Sequence, residues 1–157
     1  MKHTGPAIVF DTYEAMKKAV DDEGLDVTKD HVMVFRNAGP VGGPGMPEWG
    51  MLPLPKKLLK QGVRDMIRIS DARMSGTSYG ACILHVSPEA YVGGPLAAVR
   101  NGDLISIDVE ARTIHLHVDE AEIARRVAAY ERPDRDFPRG YGKMYAAHIK
   151  QAHDGCD

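Results

Sequence analysis

The sequence predicts an α/β fold built on a mixed sheet or a partly closed barrel, with helices on its flanks. Two observations carry this. Apolar strand-like segments alternate with helical segments over residues 7–69, the pattern of strands joined by helices. Two period-two segments then follow one another across a short polar turn near residue 111, which reads as an antiparallel hairpin. At 157 residues the chain suits one domain with a sizeable core.

Taken in order, Ala7-Ile8-Val9-Phe10 reads as a short buried strand. Asp11 is expected to cap a helix over residues 11–20, with Glu14 as its capping-box partner, and Asp21-Asp22-Glu23-Gly24 closes it. His31-Val32-Met33-Val34-Phe35 is a second strand whose unbroken apolar run predicts burial on both faces. Residues 37–50 form a loop with five glycines, which would be costly and floppy unless something holds it. Pro53 and Pro55 precede a short helix over residues 56–61 closed by Gly62, and residues 64–69 are the third strand.

Residues 81–86 are apolar, and periodicity does not decide between strand and short helix. Ser87-Pro88-Glu89 reads as a helix start with proline in the first turn; Gly93-Gly94-Pro95 opens a short helix to Val99, and Asn101-Gly102-Asp103 is a turn. Residues 104–109 and 113–118 are the hairpin strands, closed by Glu110-Ala111-Arg112. Asp119 is expected to cap the next helix, with Glu122 at the box position. Residues 1–131 are therefore assigned to the main domain. Residues 132–157 are assigned to a polar linker and a C-terminal helix, within 141–153, that docks elsewhere.

Composition excludes several classes. No apolar run is long enough to span a membrane, and the first residues lack the apolar core of a secretion signal. A net charge of −2 without a basic cluster argues against nucleic acid, and nothing supports membrane-surface binding. Cys82 and Cys156 have no metal-ligand spacing, and two thiols make neither a four-thiolate cluster site nor a disulfide framework. The reading is a cytoplasmic protein with two reduced thiols, Cys82 in the core.

Chemistry points to two loops. Ser70-Asp71-Ala72-Arg73-Met74-Ser75-Gly76-Thr77-Ser78-Tyr79-Gly80 follows a strand and sets hydroxyls on a glycine-containing bend, where backbone N–H groups can surround one serine. The other loop, residues 37–50, carries one carboxylate, Glu48. Within the first, Gly76-Thr77-Ser78-Tyr79-Gly80 matches a hydrolase nucleophile elbow, with Asp103 or Asp119 and His148 as partners for Ser78; the β-forming segment after it argues against the helix that motif needs. The glycine loop lacks the G-K-[ST] of a phosphate cradle, so a structural turn is favoured. His115 and His117 share a strand face and are read as exposed histidines rather than metal ligands, and His85 as a core histidine. Arg36 and Arg73 flank the two loops; each either holds a substrate carboxylate or makes a salt bridge.

Four motifs together resemble the dihydroxy-acid and sugar-acid dehydratases, the family of dihydroxy-acid dehydratase and phosphogluconate dehydratase. They are Arg36-Asn37-Ala38-Gly39-Pro40 continuing through Gly42-Gly43-Pro44-Gly45-Met46-Pro47-Glu48, then Ser70-Asp71-Ala72-Arg73-Met74-Ser75-Gly76-Thr77, His85-Val86-Ser87-Pro88-Glu89-Ala90, and Gly93-Gly94-Pro95. The resemblance covers nearly the whole chain, but only the C-terminal domain of the family's longer polypeptide. It implies a swivelling β/β/α domain like the mobile domain of aconitase, and a hydro-lyase making a 2-keto-3-deoxy acid from a 2,3-dihydroxy acid. Implied cofactors are an iron–sulfur (2Fe–2S) cluster acting on the departing 3-hydroxyl and a magnesium ion on the carboxylate and 2-hydroxyl.

Carried over by motif, Ser75 is the base as alkoxide, Thr77 and the Gly76 amide hold the alkoxide or the substrate, and Glu48 is a magnesium ligand. Arg73, Gly76 and Asn37 are the expected substrate contacts. The second motif looks more like the sugar-acid (aldonate) branch. The cluster cysteines and the remaining magnesium ligands belong to the family's N-terminal domain, which the resemblance makes the partner, the full enzyme being a homo-oligomer. Both loops are expected to be exposed and mobile here. The chain is expected to be an excised domain or, second, a separate subunit; the competing reading is a non-catalytic barrel that binds an acid or a partner. Alone, the chain is expected to turn over no aldonate, and keto-acid formation by the purified chain without a partner would contradict this.

Overall fold

β1 (Lys2–Phe10) acts as two strands in one. Its first half pairs antiparallel with β5 (Leu104–Asp108), from Lys2 opposite Asp108 to Pro6 opposite Leu104; its second half pairs parallel with β2 (Val32–Phe35), from Ala7 opposite Val32 to Phe10 opposite Phe35. Gly5-Pro6 reads as a break, which is why the sequence predicts only the second half. The proline is tolerated because residues 2–6 have a neighbour on one side only. Gly5 is required, since a Cβ there would lie 1.9 Å from the Asp30 carbonyl.

The computed structural model describes residues 1–156. Among them β3 (Arg68–Ser70), β4 (Cys82–Ile83) and β6 (Thr113–Leu116) complete a six-stranded sheet of order β4-β3-β2-β1-β5-β6, curled into a half-barrel. β1 to β4 run parallel, while β5 and β6 are the antiparallel hairpin that the alternation predicts. Four helices accompany the sheet: α1 (Tyr13–Asp21), α2 (Lys56–Lys60), α3 (Glu120–Ala128) and α4 (Gly140–His148). None is long and apolar enough to cross a membrane.

Both faces of the central strands are buried, as the unbroken apolar run of β2 requires. Met33 and Phe35 pack with Ile8, Phe10, Met16 and Leu52 on one face. Val32 and Val34 pack with Ile67, Ile69, Leu96 and Ile105 on the other, following the period-two geometry of a strand.

Several local expectations change. Thr12, not Asp11, caps α1, its hydroxyl accepting the Ala15 N–H at 3.1 Å, while Asp11 pairs with Arg36. Asp119 precedes α3 without a capping bond from its side chain, and Glu122 turns to Arg125 and Arg126. The third strand starts at Arg68 rather than residue 64. Ser87-Pro88 is a cis peptide leading into a 3-10 turn at Ala90–Val92, and a second 3-10 turn spans Pro95–Ala98. Cys82 sits half-buried on the edge strand β4, not in the core.

A sheet covered on both sides makes a specific demand on stability. Met33→Ala and Ile69→Ala, from opposite faces, should each lower the unfolding free energy by about 2–5 kcal/mol in urea titrations. A near-neutral result at either position would mean that its face is open.

Candidate active site

β2 and β3 are adjacent and parallel, with Phe35 opposite Ser70, so the glycine loop and the serine loop leave the same edge side by side. The carboxyl ends of parallel strands are where α/β sheets place their ligand sites. Asp71, the first residue past β3, is fully buried. Its carboxylate accepts the N–H groups of Asn37 (3.1 Å), Ala38 (3.0 Å) and Ala90 (3.0 Å). Burial pushes its pKa up to about 6; the three amides pull the other way without overcoming it, and nearby Glu89 adds to the rise.

Glu89 is the second buried carboxylate. Oε1 accepts the Val41 N–H and Oε2 the Gly42 N–H, both at 2.8 Å. The glycine loop does cradle an anion, and the anion is the protein's own side chain. Gly39 has no room for a Cβ, which would lie 2.6 Å from Glu89 Oε2. The expectation of an exposed, floppy loop is therefore corrected: residues 37–40, 42 and 43 are buried, and Glu48 is exposed where the chain climbs to the rim.

Asn37, expected among the substrate contacts, lies beneath the loop. It has a left-handed backbone (φ +66°), its Oδ1 accepts the Tyr130 hydroxyl at 2.9 Å, and its Nδ2 faces the Asp11 carbonyl at 3.4 Å. Arg36 is also an internal tie. It donates to Asp11 and to the carbonyls of Leu96, Ala97 and Val99, with its guanidinium 4.9 Å over the Tyr130 ring.

Arg73 joins the two loops at the rim. Its Nε donates to the Met46 carbonyl at 2.5 Å, its Nη1 lies 3.5 Å from Glu48 Oε1, and its own carbonyl accepts the Gly50 N–H at 2.8 Å. Both charged side chains are 46% exposed, so they reach solvent while paired. Two residues on, Ser75 Oγ lies 2.9 Å from Thr77 Oγ1 and 3.3 Å from the Thr77 N–H, and the Ser75 carbonyl accepts the Ser78 N–H. Gly76 is exposed, and a Cβ there would meet nothing within 4 Å. Arg73 thus ties Glu48 to the serine bend, where one hydroxyl and one amide, both of Thr77, face the Ser75 oxygen.

Other candidates fall away. A strand, not a helix, follows Gly76-Thr77-Ser78-Tyr79-Gly80, and Asp103 is engaged by Arg126, so the nucleophile elbow is not formed. His85 is exposed with φ +53°, not a core residue. His117 Nε2 lies 2.6 Å from Ser106 Oγ, and His115 meets its ring edge-on. Among the described residues no group of three His, Cys, Asp or Glu side chains could hold a metal.

The motif-bearing loops are those of a known family. The family model described as dihydroxy-acid/6-phosphogluconate dehydratase C-terminal matches residues 1–156. The chain belongs to this family. It is 55% identical over 156 residues to a 6-deoxy-6-sulfo-D-gluconate dehydratase of Pseudomonas putida, covering 99% of this chain and 27% of that protein. It is 51% identical over 163 residues to an L-arabonate dehydratase of Azospirillum brasilense, with 100% and 28% covered. A dihydroxy-acid dehydratase of Methanococcus aeolicus is 41% identical over 156 residues, with 99% and 28% covered. The chain spans little more than a quarter of these relatives' length.

In this dehydratase-family domain the two residues that organise the loops, Asp71 and Glu89, lie inside the motifs, yet the motifs assign neither a role. The available signal was indirect. A loop rich in glycine exposes many N–H groups that must find acceptors when buried, and these carboxylates sit among small residues at the neighbouring chain turns. Arg135 and Gln151, which also bind this layer, have no local signal at all.

Asp71 sets a pH dependence. Its native pKa lies above its unfolded value near 4, so the native state binds this proton more tightly. The stability from this group is complete below about pH 4 and is lost as pH rises through about 6, a change of about 3 kcal/mol. The unfolding free energy of the unmodified chain relative to Asp71→Asn should therefore increase as pH falls from about 7.5 to 4.5. A pH-independent difference, or one of opposite slope, would contradict it.

Proposed function

We propose that this chain is the C-terminal catalytic-base domain of a hydro-lyase that dehydrates a sugar acid (aldonate) to a 2-keto-3-deoxy acid. The observation that carries the reading is the Arg73 tie, which draws the Ser75 bend and Glu48 to one rim. The named relatives that act on sugar acids favour the aldonate class.

The residues fit the two cofactors only in part. Glu48 is an exposed carboxylate oxygen donor suited to magnesium, as one ligand of several. The remaining ligands and the iron–sulfur cluster fall to the N-terminal domain of the same enzyme, because Cys82 and Cys156 belong to no ligand group among the described residues. When bound, magnesium and cluster supply Lewis-acid polarisation of the substrate carboxylate, the 2-hydroxyl and the departing 3-hydroxyl.

This chain supplies the proton acceptor. A serine is a weak base unless its alkoxide is held by donors. Here the Thr77 amide and hydroxyl face Ser75 Oγ. Ser75 Oγ takes the proton from C2, the C2–H electron pair forms the C2–C3 double bond, and the C3–O bond breaks; the departing hydroxide takes back the proton from Ser75 to leave as water, which restores the alkoxide. The enol then tautomerises to the 2-keto acid. Arg73 holds Glu48 in place and offers its outer guanidinium face to the substrate. The enzyme so assembled is cytoplasmic and homo-oligomeric in this reading.

In the complete enzyme Ser75→Ala should lower kcat by about 10²–10⁴-fold with magnesium binding retained, whereas Glu48→Gln should weaken magnesium binding measured by calorimetry. Turnover undiminished in Ser75→Ala would leave the barrel as a binding module only.

A further inference from the structure

The C-terminal segment does not leave the domain; it returns to the layer beneath the site. Arg132 stacks its guanidinium 4.8 Å over Tyr91, and Arg135 donates to the carbonyls of Asn37 (2.9 Å) and Gly42. Ser87 Oγ meets His153 Nδ1 at 2.5 Å. All these contacts fall on the glycine loop or on the 87–91 turn beside it.

Gln151 makes the most specific of them. Its Nε2 donates to Glu89 Oε1 at 2.7 Å, and its Oε1 accepts the Glu89 N–H at 2.8 Å, so one amide clamps one residue at both its backbone and its carboxylate. Glu89 in turn holds the Val41 and Gly42 amides. From there Gly43 N–H bonds to Gly39 and Met46 N–H to Gly43, and the Met46 carbonyl takes Arg73, which pairs with Glu48. These hydrogen bonds, joined by the peptide link from Gly42 to Gly43 and completed by the Arg73–Glu48 ion pair, connect the C-terminal segment to the rim.

We infer that Gln151 is a positioning residue: through Glu89 it fixes the conformation of the glycine loop that presents Glu48 to the metal. The inference rests on the role proposed for Glu48. It assigns the C-terminal segment to this site instead of to a remote surface. Residues that orient a metal ligand from behind change metal affinity about 10–100-fold when removed.

Two variants and two readouts test it. In this chain, Gln151→Ala should lower the hydrogen-exchange protection of the Val41 and Gly42 amides about tenfold or more, with β1 to β3 amides unchanged. In the complete enzyme it should raise the magnesium Kd by about tenfold or more and leave kcat at saturating magnesium close to that of the parent. Gln151→Glu should show the same loosening near pH 8, where two carboxylates meet, and should recover as pH falls. The introduced carboxyl, once protonated, can donate to Glu89 and accept its N–H as the amide does. The other titratable or charged groups around Glu89 are Asp71 just after β3, Tyr145 from α4, His153 through Ser87 and Arg135 at Gly42, so each pH point is read against the unmodified chain.

Unchanged exchange at Val41 and Gly42, or an unchanged magnesium Kd, would overturn the inference. So would a loss of protection throughout the sheet in both variants, which would make Gln151 a general structural residue. Failure of the proposed function has a different signature: the unmodified complete enzyme would form no keto acid, whatever the exchange at residues 41 and 42.

Discussion

Everything at the rim depends on a buried carboxylate accepting three backbone amides. Asp71 stands where β3 ends, and it bonds to two amides of the loop after β2 and one from the turn after the cis proline. Each of those N–H groups, left unpaired in the interior, would cost about 1–3 kcal/mol. The carboxylate therefore fixes three chain segments against one another at a single point. Its burial has a cost, visible in a pKa pushed up to about 6. That cost is accepted where the geometry of neighbouring loops must be unique.

Glu89 extends the same device one layer outward. A loop with five glycines loses a great deal of chain entropy on ordering, and the two amides held by Glu89 offset part of it. The glycines are needed for approach as much as for flexibility: at Gly39 a side chain would collide with Glu89, and at Gly42 with Tyr91. The loop is buried at its base and exposed at Glu48. Such a division suits a ligand that must be placed accurately yet meet a group arriving from another domain.

Much of the fold was legible because periodicity and burial agree. The apolar run of β2 predicts two-sided burial, and the alternation in residues 104–118 predicts the hairpin. The first half of β1 was not legible, since Gly5-Pro6 breaks the pattern while a one-sided neighbour and the close approach of Asp30 make both residues acceptable. His85 misled for a related reason: apolar neighbours suggest a core position, but a left-handed backbone turns the residue outward. Of the site, the residues in the serine bend and Glu48 could be named from motifs. Their dependence on Asp71 and Glu89 could not, because hydrogen bonds from a carboxylate to distant backbone amides leave no periodic trace. Contacts from Gln151 and Arg135 span 62 and 98 residues respectively, beyond any local rule.

In the proposed enzyme the serine bend and the glutamate of the glycine loop act on one substrate from one rim. A crystal structure of the complete enzyme with magnesium and its aldonate tests this most directly. The expected result is a Glu48 carboxylate oxygen on the magnesium ion at about 2.1 Å, with Ser75 Oγ directed at the substrate's C2 hydrogen. Magnesium bound without Glu48, or Ser75 Oγ turned away from C2 while another group faces that hydrogen, would contradict it.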